Sequence, residues 1–300
     1  MSDLYPDLPF SGSYTALVTP FTSSGALDEA AFEKLVDWQI EQGTHGLVPV
    51  GTTGESPTLS HEEHDRVVEM CVKTANGRVP VIAGAGSNST AEAVRLSRHA
   101  EAVGADAVLI VSPYYNKPTQ AGLKAHFLAV ANAVSIPVII YDIPGRSIVR
   151  LEDEVLAELA QHPNIAGIKD ATADCGRPTR LLNLIGNQFC QLSGEDATVL
   201  PYLAAGGQGC ISVVSNIAPA LCAELHTAWA TGNDKDWALA LHRQLMPLHD
   251  ALFCEASPGP VKYAASRLGL CGAKTRMPLV EIADSSKQAV DRALEAAGLL

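Results

Sequence analysis

The most reactive prospect in the chain is Lys169, within Gly167-Ile168-Lys169-Asp170-Ala171-Thr172. It closes the apolar run Ile165-Ala166-Gly167-Ile168, whose length and composition predict a buried strand of a parallel sheet. Asp170 to Thr172 has turn chemistry, which places the lysine at the strand's carboxyl end. Burial disfavours an ammonium, and a neutral amine attacks carbonyl carbon, so Lys169 is a candidate Schiff-base nucleophile. The plainer alternative is a lysine whose stem lies along the strand end while its head reaches water.

Other residues suited to carbonyl and carboxylate chemistry also follow apolar runs. Gly51-Thr52-Thr53-Gly54-Glu55-Ser56 follows Gly46–Val50. Its glycines permit close backbone approach, and its amides and adjacent hydroxyls suit a carboxylate. The motif lacks the Gly-Lys-Ser/Thr of a phosphate loop, and a strand-to-helix turn would also use these glycines. Tyr141 ends another run. Its phenol is placed to pass protons near a lysine, with Thr53 as a bridge to a second phenol, although strand-end tyrosines are more often packing residues. Arg146 sits in a Pro-Gly-Arg-Ser loop and reads either as a surface charge or as a bidentate clamp on a carboxylate. His61 and His64 are spaced by three in Ser60-His61-Glu62-Glu63-His64, which does not match the zinc-protease pattern. Gly84-Ala85-Gly86 is a weak anion-site signal. His99, His126 and His226 read as helix-surface residues.

The elements that position these groups alternate. Strands are predicted at 15–18, 46–50, 79–83, 107–111, 137–141, 165–168, 191–193 and 209–213, each followed by a helical pattern. Capping boxes are predicted at Ser60/Glu63 and Ser89/Glu92. Eight strand–helix units with short connections predict an α/β fold, a (β/α)8 TIM barrel. An open doubly wound sheet is the alternative, but no GxGxxG follows the first strand. After Gly232 the pattern becomes helical only, which divides the chain into a catalytic barrel, 1–232, and a C-terminal helical extension, 233–300. In such barrels the chemistry lies at the carboxyl ends of the strands. That places Thr52, Thr53, Tyr114, Tyr115, Tyr141, Arg146, Lys169 and Gly194-Glu195-Asp196 together.

The 300 residues are 47% hydrophobic and carry a net charge of -12. No basic stripe exists to neutralise phosphates, so nucleic acid is not expected as a partner. Seven cysteines are scattered without a paired framework, as in a reducing cytoplasm with free, mostly buried thiols. Met1 to Pro9 is acidic and has no signal-like apolar core, and no apolar run is long enough to span a membrane.

The chain resembles the dihydrodipicolinate synthase family. The resemblance is carried by Gly51–Ser56, Ser112-Pro113-Tyr114-Tyr115-Asn116-Lys117-Pro118, Tyr141-Asp142-Ile143-Pro144-Gly145-Arg146, Gly167–Thr172 and Ser193-Gly194-Glu195-Asp196. Gly209 to Pro219 and Pro258-Gly259-Pro260-Val261-Lys262 also look like the family, so the likeness covers nearly the whole chain. It implies condensation of pyruvate with L-aspartate 4-semialdehyde, with neither metal nor organic cofactor. Lys169 would form the imine, Tyr141 would act as acid/base, and Thr53 and Tyr115 would complete its proton relay, Tyr115 from a neighbouring subunit. Thr52 and Thr53 would hold the pyruvate carboxylate, Arg146 the aldehyde's carboxylate, and Gly194 and Ile211 would line the pocket. Positions matching a family site for L-lysine as inhibitor are Ser56, His61, His64, Asn88, Glu92 and Tyr114. A homotetramer, a dimer of dimers, is implied as well. Asp142 stands where the family often has asparagine, and Ser147-Ile148 replaces a frequent Thr-Gly; both are expected near the second substrate. The alternatives are a keto-sugar-acid aldolase or N-acetylneuraminate lyase of the same superfamily, and a barrel that only binds a keto acid.

Overall fold

The structure, a computed structural model, describes residues 4–5, 7–232 and 234–300. Part of the N-terminal segment read for a signal, and residue 233 at the expected domain boundary, lie outside the described residues.

Eight parallel strands form the barrel: β1 Gly12–Ala16, β2 Gly46–Val48, β3 Ile82–Gly84, β4 Ala107–Val111, β5 Val138–Asp142, β6 Ile165–Asp170, β7 Cys190–Ser193 and β8 Gly209–Ser212. The hydrogen-bonded order is β2-β1-β8-β7-β6-β5-β4-β3. The ring closes between β2 and β3 through the parallel bridge Leu47–Val81 and the bond from Leu47 N to Pro80 O, 3.0 Å. Helices on the outside are α1 Glu29–Glu41, α2 His61–Ala75, α3 Thr90–Ala102, α4 Gln120–Ala131, α5 Pro144–Ser147, α6 Asp153–Leu159, α7 Arg177–Ile185, α8 Val199–Ala204 and α9 Pro219–Ala230. α10 Lys235–Leu252, α11 Gly259–Arg267 and α12 Asp284–Ala297 follow, with α10 packed on α9.

Two layers of core result from strand alternation. Tyr14, Val48, Ile82, Leu109, Ile139 and Ile211 fill the barrel, while Val138, Ile140, Ile165 and Ile168 face the helices. Each such buried side chain contributes about 1.5–3 kcal/mol relative to exposure.

β1 begins three residues before the predicted strand. Its outward residues are polar, and Thr15 Oγ1 donates to Gln39 Oε1 at 2.7 Å, so the apolar run understates the strand. The Ser60/Glu63 box forms: Ser60 Oγ accepts from Glu63 N at 3.2 Å, and Glu63 Oε2 accepts from Ser60 N at 3.0 Å. The Ser89/Glu92 box does not. The Glu92 carboxylate instead takes Ser87 Oγ and His61 Nε2, and Ser89 makes no side-chain cap.

Candidate active site

Alternation along β5 and β6 decides which side chains meet. Ile168 faces the helices, so Lys169 turns inward; Ile140 faces the helices, so Tyr141 also turns inward. The two are register partners on adjacent strands. Lys169 is only 6% exposed, and its Nζ lies 4.2 Å from the centroid of the Tyr141 ring. Among the described residues Lys169 has no ion-pair partner. Just past β7, Gly194 donates its amide to Asp170 O at 2.7 Å. A Cβ at Gly194 would stand 3.1 Å from Lys169 Cε and 2.8 Å from Ala171 Cβ, so glycine keeps the lysine's path open. Ile211 packs with Tyr141 in the barrel interior.

The loop after β2 is held from outside the barrel. Two non-glycine residues with left-handed φ bracket it, Val50 at 48° and Glu55 at 55°, a costly conformation that its surroundings must enforce. Glu55 is buried and pairs with buried Lys262 of α11 at 2.7 Å, and its other oxygen accepts from Arg276 N at 2.9 Å. Lys262 also donates to Thr19 O at 2.8 Å. Removing one partner of such a buried pair costs about 3–5 kcal/mol. So braced, the loop turns Gly54 N onto Gly51 O and Glu55 N onto Thr52 O, both 3.1 Å. Among the described residues the Thr52 and Thr53 amides have no protein acceptor, which leaves two adjacent donors for an anion.

A cavity of about 230 Å³ opens beside these groups, lined by Thr52, Ser56, Gly84, Gly86, Tyr114, Tyr141 and Arg146. Gly84 and Gly86 serve packing there: a Cβ would meet Val50 O at 2.5 Å and Val111 N at 2.4 Å. Arg146 sits on the one-turn helix α5, where a loop was predicted. Among the described residues its guanidinium has no ion-pair partner, so the cavity carries an uncommitted cation in a chain of net charge -12. Tyr115 lies apart. It is 89% exposed with φ of 72°, and no hydrogen bond joins the hydroxyls of Thr53, Tyr141 and Tyr115 within the described residues.

The six positions of the expected lysine site lie in the loop after β2, in the first turns of α2 and α3, just before α3 and after β4, and contacts join four of them in pairs. His61 Nε2 lies 2.6 Å from Glu92 Oε1, Asn88 Nδ2 donates to Tyr114 O at 3.2 Å, and Ser56 and Tyr114 line the cavity. Hydrogen bonds from Ser87 and His61 hold the Glu92 carboxyl below the usual range. His64 is the buried member; burial pushes its imidazole down to about 4.

Three expectations need correction. Asp142 is not on the second-substrate side. It follows Tyr141 by one residue and therefore points outward, where it is fully buried and pairs with Arg177 Nη1 at 2.7 Å. Ser147 does border the cavity. His126 and His226 are buried rather than on helix surfaces, and desolvation lowers them to about 4 and about 3. What the sequence reading missed is the pairing of Glu55 with Lys262, which lie 207 positions apart in two of the family-like stretches and carry no local signal of their contact.

Fold and site together define a class, the lysine-centred (β/α)8 barrel enzymes. A model of the dihydrodipicolinate synthetase family matches residues 9–297. The chain belongs to that family. It is 60% identical to the 4-hydroxy-tetrahydrodipicolinate synthase of Gluconacetobacter diazotrophicus over 292 residues, 97% of this chain and 98% of the relative. A solved chloride-inhibited dihydrodipicolinate synthase from Acinetobacter baumannii, complexed with pyruvate, is 44% identical with a TM-score of 0.94, covering 97% of this chain and 99% of that one. The enzyme from Cyanidioschyzon merolae, solved with lysine bound, is 38% identical with a TM-score of 0.94 over 97% and 99% of the two chains. The activity is 4-hydroxy-tetrahydrodipicolinate synthesis, in lysine biosynthesis.

Proposed function

We propose that Lys169 condenses pyruvate with L-aspartate 4-semialdehyde through an imine. The observation that carries this is the inward pairing of Lys169 with Tyr141 beside a cavity bearing free amides and a free guanidinium. The pyruvate carboxylate takes the Thr52 and Thr53 amides, with Gly194 and Ile211 bounding the keto acid. Lys169 Nζ attacks C2, and Tyr141 protonates the oxygen that leaves as water. The Tyr141 phenolate left by that step takes a proton from C3 to give the enamine, whose C3 bonds to the aldehyde carbon while Tyr141 passes the proton to the aldehyde oxygen. The substrate's amino group then attacks C2, closes the ring and displaces the lysine. Arg146 holds the second carboxylate, and Thr53 and Tyr115 relay protons from Tyr141. Tyr115 acts across a subunit boundary within a homotetramer, a reading supported by an aromatic side chain standing 89% in solvent.

L-Lysine is proposed as an inhibitor at Ser56, His61, His64, Asn88, Glu92 and Tyr114. The Glu92 carboxylate suits its amines, and Ser56 and Tyr114 share the cavity wall with Tyr141 and Arg146. Residues 1–232 are read as the catalytic barrel and 233–300 as its extension, which reaches the pyruvate loop through Lys262 and Arg276. A cytoplasmic location is proposed from the scattered free cysteines. Steady-state turnover of pyruvate with L-aspartate 4-semialdehyde tests the substrate assignment. No turnover with this aldehyde, together with turnover of a keto-sugar acid, would reject it. A lysine titration that leaves the rate flat would reject the inhibitor site.

A further inference from the structure

Asp142 and Asp170 each follow a proposed catalytic residue, Tyr141 and Lys169, and are themselves register partners on β5 and β6. Two carboxylates directly opposite each other on adjacent strands repel. Both point outward, away from the cavity, and are almost wholly buried, Asp142 at 0% and Asp170 at 4% exposure. Arg177, the first residue of α7 and fully buried, lies between them: Nη1 is 2.7 Å from Asp142 Oδ2 and 3.6 Å from Asp170 Oδ1. Its remaining nitrogens are also committed, Nε to Asp153 Oδ1 at 2.8 Å and Nη2 to Leu151 O at 2.8 Å. The backbone continues the stitch: Ala171 N donates to Asp142 O at 2.9 Å, and Thr172 N to Asp170 Oδ1 at 2.9 Å.

We infer that Arg177 is a positioning residue for the reaction: by binding the carboxylates that follow Tyr141 and Lys169, it fixes the relative height of the two strand ends and so the approach of the phenol to the amine. A planar guanidinium supplies several donors in a rigid fork, whereas a lysine ammonium is a point charge on a flexible stem. The inference rests on the roles of Lys169 and Tyr141 proposed above. Borohydride trapping of pyruvate on Lys169 of the unaltered enzyme tests the lysine's role separately, and the kcat of Tyr141→Phe tests the tyrosine's.

The experiment compares the full-length enzyme with Arg177→Lys and Asp142→Asn. Sites are counted by borohydride-trapped pyruvate, kcat is expressed per trapped site, and the melting temperature is recorded. Arg177→Lys should lower kcat per site at least ten-fold, with the pyruvate KM moving no more than about three-fold, because misplacement by an ångström costs rate rather than binding. Asp142→Asn keeps an acceptor oxygen for Arg177 and should fall less, by about three-fold. Parental kcat per trapped site in folded Arg177→Lys overturns the inference, even with a lowered melting temperature, since the arginine would then serve only stability. Should Arg177→Lys fail to fold, Arg177→Gln, whose amide cannot reproduce the guanidinium fork, is assayed in its place, and parental kcat per site there overturns the inference equally.

Discussion

Lys169 Nζ stands 4.2 Å from the centre of the Tyr141 ring, and the two residues face each other as register partners on neighbouring parallel strands. The ring therefore packs against the amine whether or not it carries a hydroxyl. Tyr141→Phe keeps that packing and removes only the hydroxyl, the proposed proton donor. Its kcat should fall by about a hundred-fold, the usual worth of a positioned acid/base, with little change in the pyruvate KM. A kcat within two-fold of the parent would remove Tyr141 from the proton path.

Arg146 makes no ion pair among the described residues, so its removal should leave the fold intact. Arg146→Ala should reduce kcat/KM for L-aspartate 4-semialdehyde by about a hundred-fold, in line with a charge-assisted contact worth about 2–3 kcal/mol. Pyruvate trapping should persist. Equal losses for both substrates would place the arginine elsewhere in the cycle.

How much of this was legible in the sequence depended on distance along the chain. Lys169 and Tyr141 each close an apolar run, and the barrel rule then brings them together. Asp142 was misplaced by the smallest possible step, since one residue along a strand exchanges the barrel interior for the helix layer. His126 and His226 lie on α4 and α9, helices apolar on most faces, where position gives little hint of burial. The Glu92 cap failed because His61, on another helix, and Ser87 compete for its carboxylate. The Glu55–Lys262 pair is wholly tertiary.

Tyr115 offers a test of subunit exchange. Tyr115→Phe and Lys169→Ala should each be impaired as pure proteins. Co-expressed hybrids should regain activity if Tyr115 works across the boundary as proposed, because a Tyr115→Phe subunit keeps Lys169 and would receive an intact Tyr115 from its neighbour. Hybrids no more active than the average of the two parents would confine Tyr115 to its own subunit or to no role.

His64, His126 and His226 stay neutral in the folded state, with values lowered by burial to about 4, about 4 and about 3. The unfolded chain takes up protons first, near pH ~6.5. Their contribution to stability is therefore full above that pH and is lost as acid is added, down to about pH 4 for His64 and His126 and about pH 3 for His226, by at most about 1.4 kcal/mol per histidine for each pH unit. Urea midpoints should drop between pH 7.5 and pH 5, and His226→Asn should flatten the drop. Midpoints that do not move across this range would contradict the buried neutral state.

The most direct test of the central claim is mass spectrometry of the enzyme reduced with borohydride in the presence of pyruvate. The account predicts one added pyruvate-derived group per chain, located on Lys169 by peptide mapping, and neither adduct nor turnover in Lys169→Ala. An adduct on another lysine, or turnover in Lys169→Ala at the parental rate, would contradict it.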